Sequence, residues 1–149
     1  MKWITRKHIR VNRVATAWLI RRFIDHQAEF IFVDPAAVPT TQERENGQGF
    51  DAPGATYPHK DGQGRCSFEA LVDEYFSNDA VLEEMARMVR GADFADETNL
   101  TEESAGIRTI SQGFPLVSKD DHETVEKAGF LYDALYASIK ARQSSKPTT

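Results

Sequence analysis

The apolar residues of this chain recur mostly at helical spacing, and this periodicity constrains the fold more than any other feature. Residues three or four apart share one face of a helix, so the pattern predicts helices that each bury one side. Such segments begin at five places, near Asn12, Ser67, Asn78 or Asp79, Thr101 and Ser118. The first and the last of these segments carry the aromatic residues Trp18, Tyr132 and Tyr136, which predicts that they pack together.

Strand character is confined to short segments. Residues 28–33 are β-branched and aromatic and stop at Asp34-Pro35, which predicts a buried strand. A weak helix is expected from Pro35 to about Asn46, and a second short strand is expected around Gly49. About five helices with one or two short strands predict a mainly helical α+β fold with a single core. We assign this domain to residues 1–142 and expect a disordered polar tail at residues 143–149.

Composition narrows the class of protein. The chain has 149 residues with one cysteine, which excludes an internal disulfide and favours a reducing compartment. No apolar run reaches the length of about 20 residues that a membrane span needs, and the first residues lack the apolar core of a signal peptide. We therefore expect a cytoplasmic protein that does not enter a membrane.

The charge of the chain is uneven. A net charge of −5 argues against nucleic acid as a partner of this domain. Residues 1–22 nevertheless carry seven lysines and arginines and no carboxylate. This basic end has two interpretations, a site for an oxyanion or for an acidic face of a partner, and a solvated helix face that balances the acidic remainder.

Residues 47–66 form a Gly- and Pro-rich loop that carries Asp51, His59 and Cys66. Carboxylate, imidazole and thiolate are the groups that bind zinc or iron and that act in nucleophilic or redox chemistry. Cys66 directly precedes a predicted helix start and follows Arg65, which predicts a lowered thiol pKa. The alternative is a packed thiol beside a solvated histidine.

Two further clusters contain residues that bind metals. Asp93 ends the run VRGAD at residues 89–93, where it can orient a ligand histidine by accepting its hydrogen bond. In the same run Arg90 can instead interact with the last carbonyls of its helix. His122 lies in the run DDHE at residues 120–123, in which acidic residues also suit a helix start without any site.

Many short runs, taken in order, resemble the C-terminal domain of the ChrB-type chromate resistance protein family. They extend from Trp3 to about Ala141: WITR at 3–6, RVA at 13–15, WLIRRFID at 18–25, AEF at 28–30, FD at 50–51, PG at 53–54, CSF at 66–68, VRGAD at 89–93, SAG at 104–106, DDH at 120–122 and YDALYA at 132–137. His59 belongs to the same pattern. The resemblance implies a role in bacterial chromate resistance, by sensing or by reducing chromate.

The chain departs from the family in its first helix. The family has Asp-Arg followed by Cys-Pro-Trp, where this chain has Asn12-Arg13 and then residues 16–18, Thr-Ala-Trp. A role for that family cysteine is therefore lost, while Cys66 remains. A DNA-binding or regulatory role that longer members place in an N-terminal region is not transferred to this chain.

Combined with the resemblance, the residues lead to a hypothesis with two forms. The first is a chromate-resistance-like protein with a metal or oxyanion site around His59 and Cys66, acting as a redox or hydrolytic enzyme through Cys66, His59 and Asp51. The second is a non-enzymatic sensor of chromate or metal, or an interaction module. Four arginines are candidates for holding an oxyanion: Arg13, Arg21, Arg22 and Arg90. The metal ion, expected to be Zn, Fe or Mn, would take His59, Cys66 and His122 as ligands.

Overall fold

The described part of the chain forms six α-helices and a small parallel sheet, which confirms the mainly helical α+β prediction. The computed structural model describes residues 1–145. The elements in chain order are β1 (Lys2–Arg6), α1 (Val11–Leu19), β2 (Glu29–Val33), α2 (Val38–Arg44), β3 (Gln48–Gly49), α3 (Ser67–Tyr75), α4 (Ala80–Asp93), α5 (Ser104–Val117) and α6 (Asp121–Ser144). No helix in this range combines the length and the apolar character needed to cross a membrane.

The sheet has the order β2-β1-β3, with both neighbours parallel to β1. As the central strand, β1 is buried at Trp3, Ile4 and Thr5, as expected where helices cover both faces of a sheet. Sequence analysis missed β1 because it grouped these residues with the basic end. A single turn of π-helix at Ile20–Ile24 continues α1 before the chain enters β2.

Helices α1 and α6 pack through aromatic rings, as predicted. The ring of Trp18 lies 6.0 Å from that of Tyr132 and 6.1 Å from that of Tyr136, measured between centroids. Helix α6 continues through Gln143 and Ser144, two residues beyond the predicted end of the domain. Residues 146–149 of the predicted tail lie outside the described residues.

Helices α4 and α5 approach each other unusually closely at Gly91. A Cβ atom at this position would overlap Ser104 Oγ and would meet the carbonyl oxygen of Glu97 at 3.0 Å. Ser104 Oγ donates a hydrogen bond to the carbonyl oxygen of Met88 at 3.0 Å, which ties the start of α5 to α4. The helix therefore does not stop at Gly91 as the sequence predicted, and it carries Asp93 in its last turn.

Candidate functional site

A cluster of charged residues lies beyond the carboxyl ends of β1 and β3. Arg6 is the last residue of β1, and Asp51 follows β3 by two residues. From β1 the chain continues to β2, which pairs with one edge of β1, whereas β3 pairs with the opposite edge. Ligands of open parallel sheets bind at such a point, because the connections diverge there and leave a crevice.

Asp51 is the buried centre of the cluster. Its backbone is in the left-handed region at φ 52°, which Asp tolerates better than most residues. Its amide donates to the carbonyl oxygen of Tyr57 at 2.7 Å, and its own carbonyl oxygen accepts from Arg6 Nε at 2.6 Å. This fold of the loop brings His59 Nδ1 to 2.7 Å from Asp51 Oδ1.

His59 links Asp51 to Asp93. Its Nδ1 also lies 3.6 Å from Asp93 Oδ2, and its ring packs edge-on against Phe94 at 5.5 Å. The hydrogen bond to Asp51 raises the pKa of His59. Because Nδ1 faces the carboxylates, Nε2 is the nitrogen that can meet a ligand.

Asp93 is held at the end of α4 with little access to water. Burial, and then the neighbouring charge of Asp51, raise its pKa to about 6. Its Oδ2 is buried and has no hydrogen-bond partner among the described residues. Buried polar atoms are almost always paired, so an unpaired one calls for an explanation such as a ligand.

Two arginines approach the Asp51 carboxylate from the sheet and from α1. Arg6 Nη2 lies 3.3 Å from Asp51 Oδ1, and Arg13 Nε lies 3.3 Å from Asp51 Oδ2. Arg13 Nε is close enough for an ion pair but is not aligned for a hydrogen bond, and it is buried without another partner. Burial lowers the pKa of Arg13, yet a guanidinium stays protonated in proteins.

A small cavity of about 140 Å³ opens beside Arg13 and Asp93. It is lined by Arg10, Val11, Arg13, Asp93, Arg108 and Gln112. Arg108 reaches it from α5, where its Nη1 donates to the carbonyl oxygen of Ala92 at 3.2 Å. Arg10 directly precedes α1, Arg13 lies in α1 and Arg108 lies in α5, so three arginines from these two parts of the fold surround one cavity.

One wall of this cavity is formed by the start of α1, where the backbone is strained at Val11. Val11 is β-branched and has φ 38°, a conformation that costs free energy for such a residue. The preceding loop is held by α6, because the amides of His8 and Ile9 both donate to the Asp121 carboxylate at 2.9 Å. The helix has no acidic residue in its first turn and no side-chain cap, so its positive end is not neutralised locally.

The charge balance favours an anion at this site. Ligand atoms of Asp51, His59 and Asp93 lie within 4.8 Å of one another, a spacing that a cation could bridge. However, both oxygens of Asp51 already face positive side chains, and four arginines oppose the two carboxylates across the cluster and its cavity. A cation here would be repelled by these arginines. The expected Zn, Fe or Mn ion stays a prediction.

Cys66 lies outside this cluster and forms the N-cap of α3. It is fully buried, and its amide donates to Glu69 Oε1 at 3.1 Å. The predicted lowering of its pKa is wrong. Burial raises the pKa of the thiol, and Arg65 pairs with Asp61 and Asp73 instead of stabilising a thiolate.

The remaining candidates are distributed over other parts of the molecule. Arg21 donates to the carbonyl oxygen of Ala28, and Arg22 pairs with Asp133. Arg90 pairs with Glu69 and Glu97. His122 is exposed and packs edge-on against Phe32 at 4.8 Å. Of the arginines predicted to hold an oxyanion, only Arg13 lines the cavity beside Asp93.

Sequence analysis did not single out four residues of this region: Arg6, Arg10, Arg108 and Gln112. Arg6 and Arg10 were counted among the basic residues of segment 1–22 but were not named as candidates. If β1 had been predicted, Arg6 would have been placed at the carboxyl end of a strand. Arg108 and Gln112 are four residues apart and so share one face of α5. This spacing is common on solvated helices and carries no signal by itself.

Comparison with known proteins identifies the family. The sequence matches the family described as "ChrB, C-terminal domain" over residues 3–139. It is 32% identical over 136 residues to Protein ChrB of Cupriavidus metallidurans, an alignment that covers 91% of this chain and 40% of that protein. The chain thus spans about two-fifths of the length of this relative. No solved structure matches the chain. A match over nearly the whole sequence shows that the chain belongs to the ChrB C-terminal domain family.

Proposed function

We propose that this chain is an oxyanion-binding module of a chromate-resistance protein, and that its cavity holds a tetrahedral oxyanion of the chromate class. The observation that carries the proposal is the convergence of Arg10, Arg13 and Arg108 on one cavity of about 140 Å³. Sites for larger organic ligands usually exceed about 300 Å³, so this volume suits a small anion. Family membership supplies the link to chromate.

The arginines have donors available for such a ligand. Guanidinium groups bind oxyanions through paired N–H donors, and these bonds are stronger than bonds between neutral groups. Arg13 lines the cavity while its Nε is buried against Asp51, so the terminal nitrogens of its guanidinium group are the donors that an anion there would meet. The hydrogen bond to Asp51 raises the pKa of His59, which favours the positively charged form of this residue near the cavity.

The same geometry favours binding over reduction. Reducing chromate requires electrons, and the single thiol of the chain is buried with a raised pKa. A neutral, inaccessible thiol is a poor nucleophile and a poor electron donor. We therefore propose that the module binds the anion as a sensor, as in the non-enzymatic form of the sequence hypothesis.

Calorimetric titration with chromate at pH 7.5 tests the proposal. Arg108→Gln removes one cavity donor and should weaken binding by about tenfold or more, since a hydrogen bond between charged groups contributes about 1.5–3 kcal/mol. Arg22→Gln is the matched control, because Arg22 pairs with Asp133 away from the cavity and its loss should leave chromate affinity unchanged. Absence of chromate binding by the native chain, or equal weakening by both variants, would refute the proposal.

A bound divalent cation is the competing proposal for the same residues. It would bridge Asp51, His59 and Asp93, whose ligand atoms lie within 4.8 Å of one another, and it would have to displace Arg6 and Arg13 from Asp51. Elemental analysis of protein purified without added metal separates the two proposals. One equivalent of zinc, iron or manganese that is lost in His59→Ala would favour the cation.

A further inference from the structure

Exposed apolar side chains are concentrated on the outer sides of α5 and α6. Of the six large apolar residues that are exposed in the described part of the chain, four belong to these two helices: Ile110, Leu116, Val117 and Phe130. Phe130 is 81% exposed and Leu116 is 84% exposed. Single apolar residues are ordinary on a protein surface, whereas several on one pair of helices indicate a surface that meets a partner.

The outer face of α5 has the spacing of a seam between two helices. Gly106, Ile110, Gly113 and Val117 follow one another at intervals of four, three and four residues, which places them on one narrow stripe. We call these four residues the α5 seam. The helix carries a single charged residue, Arg108, and this residue lines the arginine cavity instead. A helix face that meets only water normally carries charged residues, so the α5 seam has the pattern of a face that another helix covers.

The glycines of the α5 seam have no packing role within one copy of the chain. A Cβ atom at Gly106 or Gly113 would meet no atom within 4 Å, in contrast to one at Gly91. Glycine inside a helix destabilises that helix relative to alanine. A second helix that approaches the seam closely gives these glycines a function, because the absence of a side chain lets two backbones come near each other.

A groove of about 290 Å³ lies beside the seam, between α5 and α6. Its lining includes six apolar residues: Ile110, Phe114, Val117, Ala128, Phe130 and Leu131. A cavity of about 150 Å³ can hold a benzene molecule, so the groove has room for a phenylalanine ring. Phe130 stands at its rim and is mostly exposed. One surface thus offers both a projecting aromatic ring and a groove that can take one, which is the self-complementarity that a two-fold interface requires.

We propose that two copies of this chain form a two-fold symmetric dimer, in which the α5 seams pack together and Phe130 of each copy enters the groove of the other. The four exposed side chains present roughly 500 Å² of apolar surface, taking about 150–200 Å² for each when fully exposed. A standard interface buries about 800 Å² per partner, and homodimer interfaces are about 65% apolar. The surface therefore supplies the apolar area that one half of a stable dimer needs.

The charges around this surface favour a second copy over a lipid membrane. On α6, Lys127 pairs with Glu123 at 2.9 Å, and the exposed Glu126 lies one turn before Phe130. Charges of both signs can pair across a two-fold axis, whereas helices that bind anionic lipids carry mainly lysine and arginine on their polar face. The net charge of −5 also opposes binding to an anionic membrane.

Sedimentation equilibrium of the native chain tests the proposal. Interfaces of standard size bind with micromolar or tighter dissociation constants, so the chain should be mostly dimeric at about 100 μM. Phe130→Lys should raise the dissociation constant at least about tenfold, because it removes the central aromatic anchor and places a charge in the groove. The matched control Tyr75→Lys replaces an exposed aromatic residue at the end of α3 and should leave the dissociation constant as in the native chain.

Gly113→Gln provides a second test, in which the folded copy and the dimer respond differently. A Cβ atom at position 113 meets nothing in the same copy, and glutamine is a better helix former than glycine, so the thermal stability of the single copy should not fall. In the dimer the longer side chain keeps the two α5 helices apart, and the dissociation constant should again rise at least about tenfold. Circular dichroism shows whether each variant is folded, and Ile110→Lys replaces Phe130→Lys if the latter does not fold.

The outcomes do not depend on the oxyanion site, because none of the substituted residues lines the arginine cavity. A native chain that stays monomeric at about 100 μM would overturn the proposal. A dimer that persists unchanged in folded Phe130→Lys and Gly113→Gln would also overturn it, since its interface would lie elsewhere. Equal weakening by Phe130→Lys and Tyr75→Lys has the same consequence. A monomeric native chain that binds vesicles of phosphatidylglycerol, and loses this binding in Phe130→Lys, would assign the surface to lipid instead.

Discussion

Two neighbouring residues of α1, Asn12 and Arg13, serve opposite kinds of polar cluster. Asn12 Nδ2 donates to Ser67 Oγ at 2.7 Å, and its Oδ1 accepts from Thr16 Oγ1 at 3.0 Å and from the Phe68 amide at 3.3 Å. The side chains of this network are fully buried and neutral. One residue later, Arg13 enters a charged cluster in which its own Nε and Asp93 Oδ2 have no hydrogen-bond partner among the described residues.

The difference separates a structural polar cluster from the candidate functional one. The Asn12 network satisfies its polar atoms internally, so it holds the start of α3 against α1 and needs nothing from outside. The Arg13 cluster leaves atoms unpaired, raises the pKa of a carboxylate and borders a cavity, which are marks of a site prepared for a ligand. Substitutions in the two clusters should therefore have opposite effects on stability.

The largest expected effect is in the neutral network. Asn12→Ala leaves the Phe68 amide without its acceptor in the core and removes the hydrogen bond that Asn12 donates to Ser67 Oγ. It should lower the free energy of unfolding by about 3 kcal/mol. Urea unfolding measures this loss, which should be the same at pH 6 and pH 8 because the network has no titratable group. The control Asn78→Ala lies in an exposed turn and should change stability by less than about 0.5 kcal/mol. If both variants lost a similar amount of unfolding free energy, the Asn12 network would not be a special source of stability.

A smaller effect of opposite sign is expected in the charged cluster. The folded-state pKa of Asp93 lies about two units above that of an unperturbed Asp, so the ionised carboxylate destabilises the native state at high pH. Asp93→Asn should raise the free energy of unfolding at pH 8 by about 1–2 kcal/mol, less than the full shift implies because the amide also needs partners. The control Asp96→Asn removes an exposed carboxylate and should change the free energy of unfolding by less than about 0.5 kcal/mol.

The pH dependence shows whether the stability difference between Asp93→Asn and the native chain comes from ionisation of Asp93. The native state binds the Asp93 proton more tightly than the unfolded state does. Ionisation of Asp93 therefore lowers the free energy of unfolding of the native chain as the pH rises from about 4 to about 6. Asp93→Asn lacks that fall, and its advantage over the native chain should grow across this interval and then level off. An advantage that is constant with pH would place its origin outside the titration of Asp93.

The smallest effect on ligand binding is expected for substitution of Cys66, and this tests whether Cys66 lies outside the site. The thiol is fully buried and its pKa is raised, so alkylating reagents at pH 7.5 should leave it unmodified in the folded chain and modify it in urea. Cys66→Ser should leave chromate affinity within about twofold of the native value, since the residue lies outside the arginine cavity. Rapid alkylation of folded protein, or loss of chromate binding in Cys66→Ser, would restore the sequence hypothesis of a reactive cysteine.

The fold was predictable where patterns are local. Helical spacing located the segments now seen as α1, α3, α4, α5 and α6, and β-branched residues located β2. Helix ends were less predictable, because α4 passes through Gly91 where close packing against Ser104, rather than chain termination, requires glycine. Strand β1 was missed because its pairing with β2 and β3 depends on residues more than 20 positions away.

The site was predictable only in part for the same reason. Asp51 and His59 are eight residues apart on one loop, and their hydrogen bond follows from local chemistry. Asp93 was expected to orient a histidine by accepting its hydrogen bond, but it lies 3.6 Å from His59 Nδ1, whose hydrogen bond is to Asp51. Arg108 reaches the cavity from a helix far along the chain, and no local pattern distinguishes it from a solvated arginine. Cys66 was misjudged because its burial depends on the packed core and not on its neighbours in sequence.

The close approach of α4 and α5 at Gly91 sets a distance within the candidate site. Ser104, which sits against Gly91, precedes Arg108 by one helical turn, so the depth to which α5 settles on α4 also sets how far the Arg108 guanidinium stands from Asp93. A single methyl group at position 91 would move α5 outward and widen the gap between these two charges, although it would touch neither. In the proposed oxyanion site, the size of the anion would thus be set by the separation of the α4 and α5 backbones at Gly91.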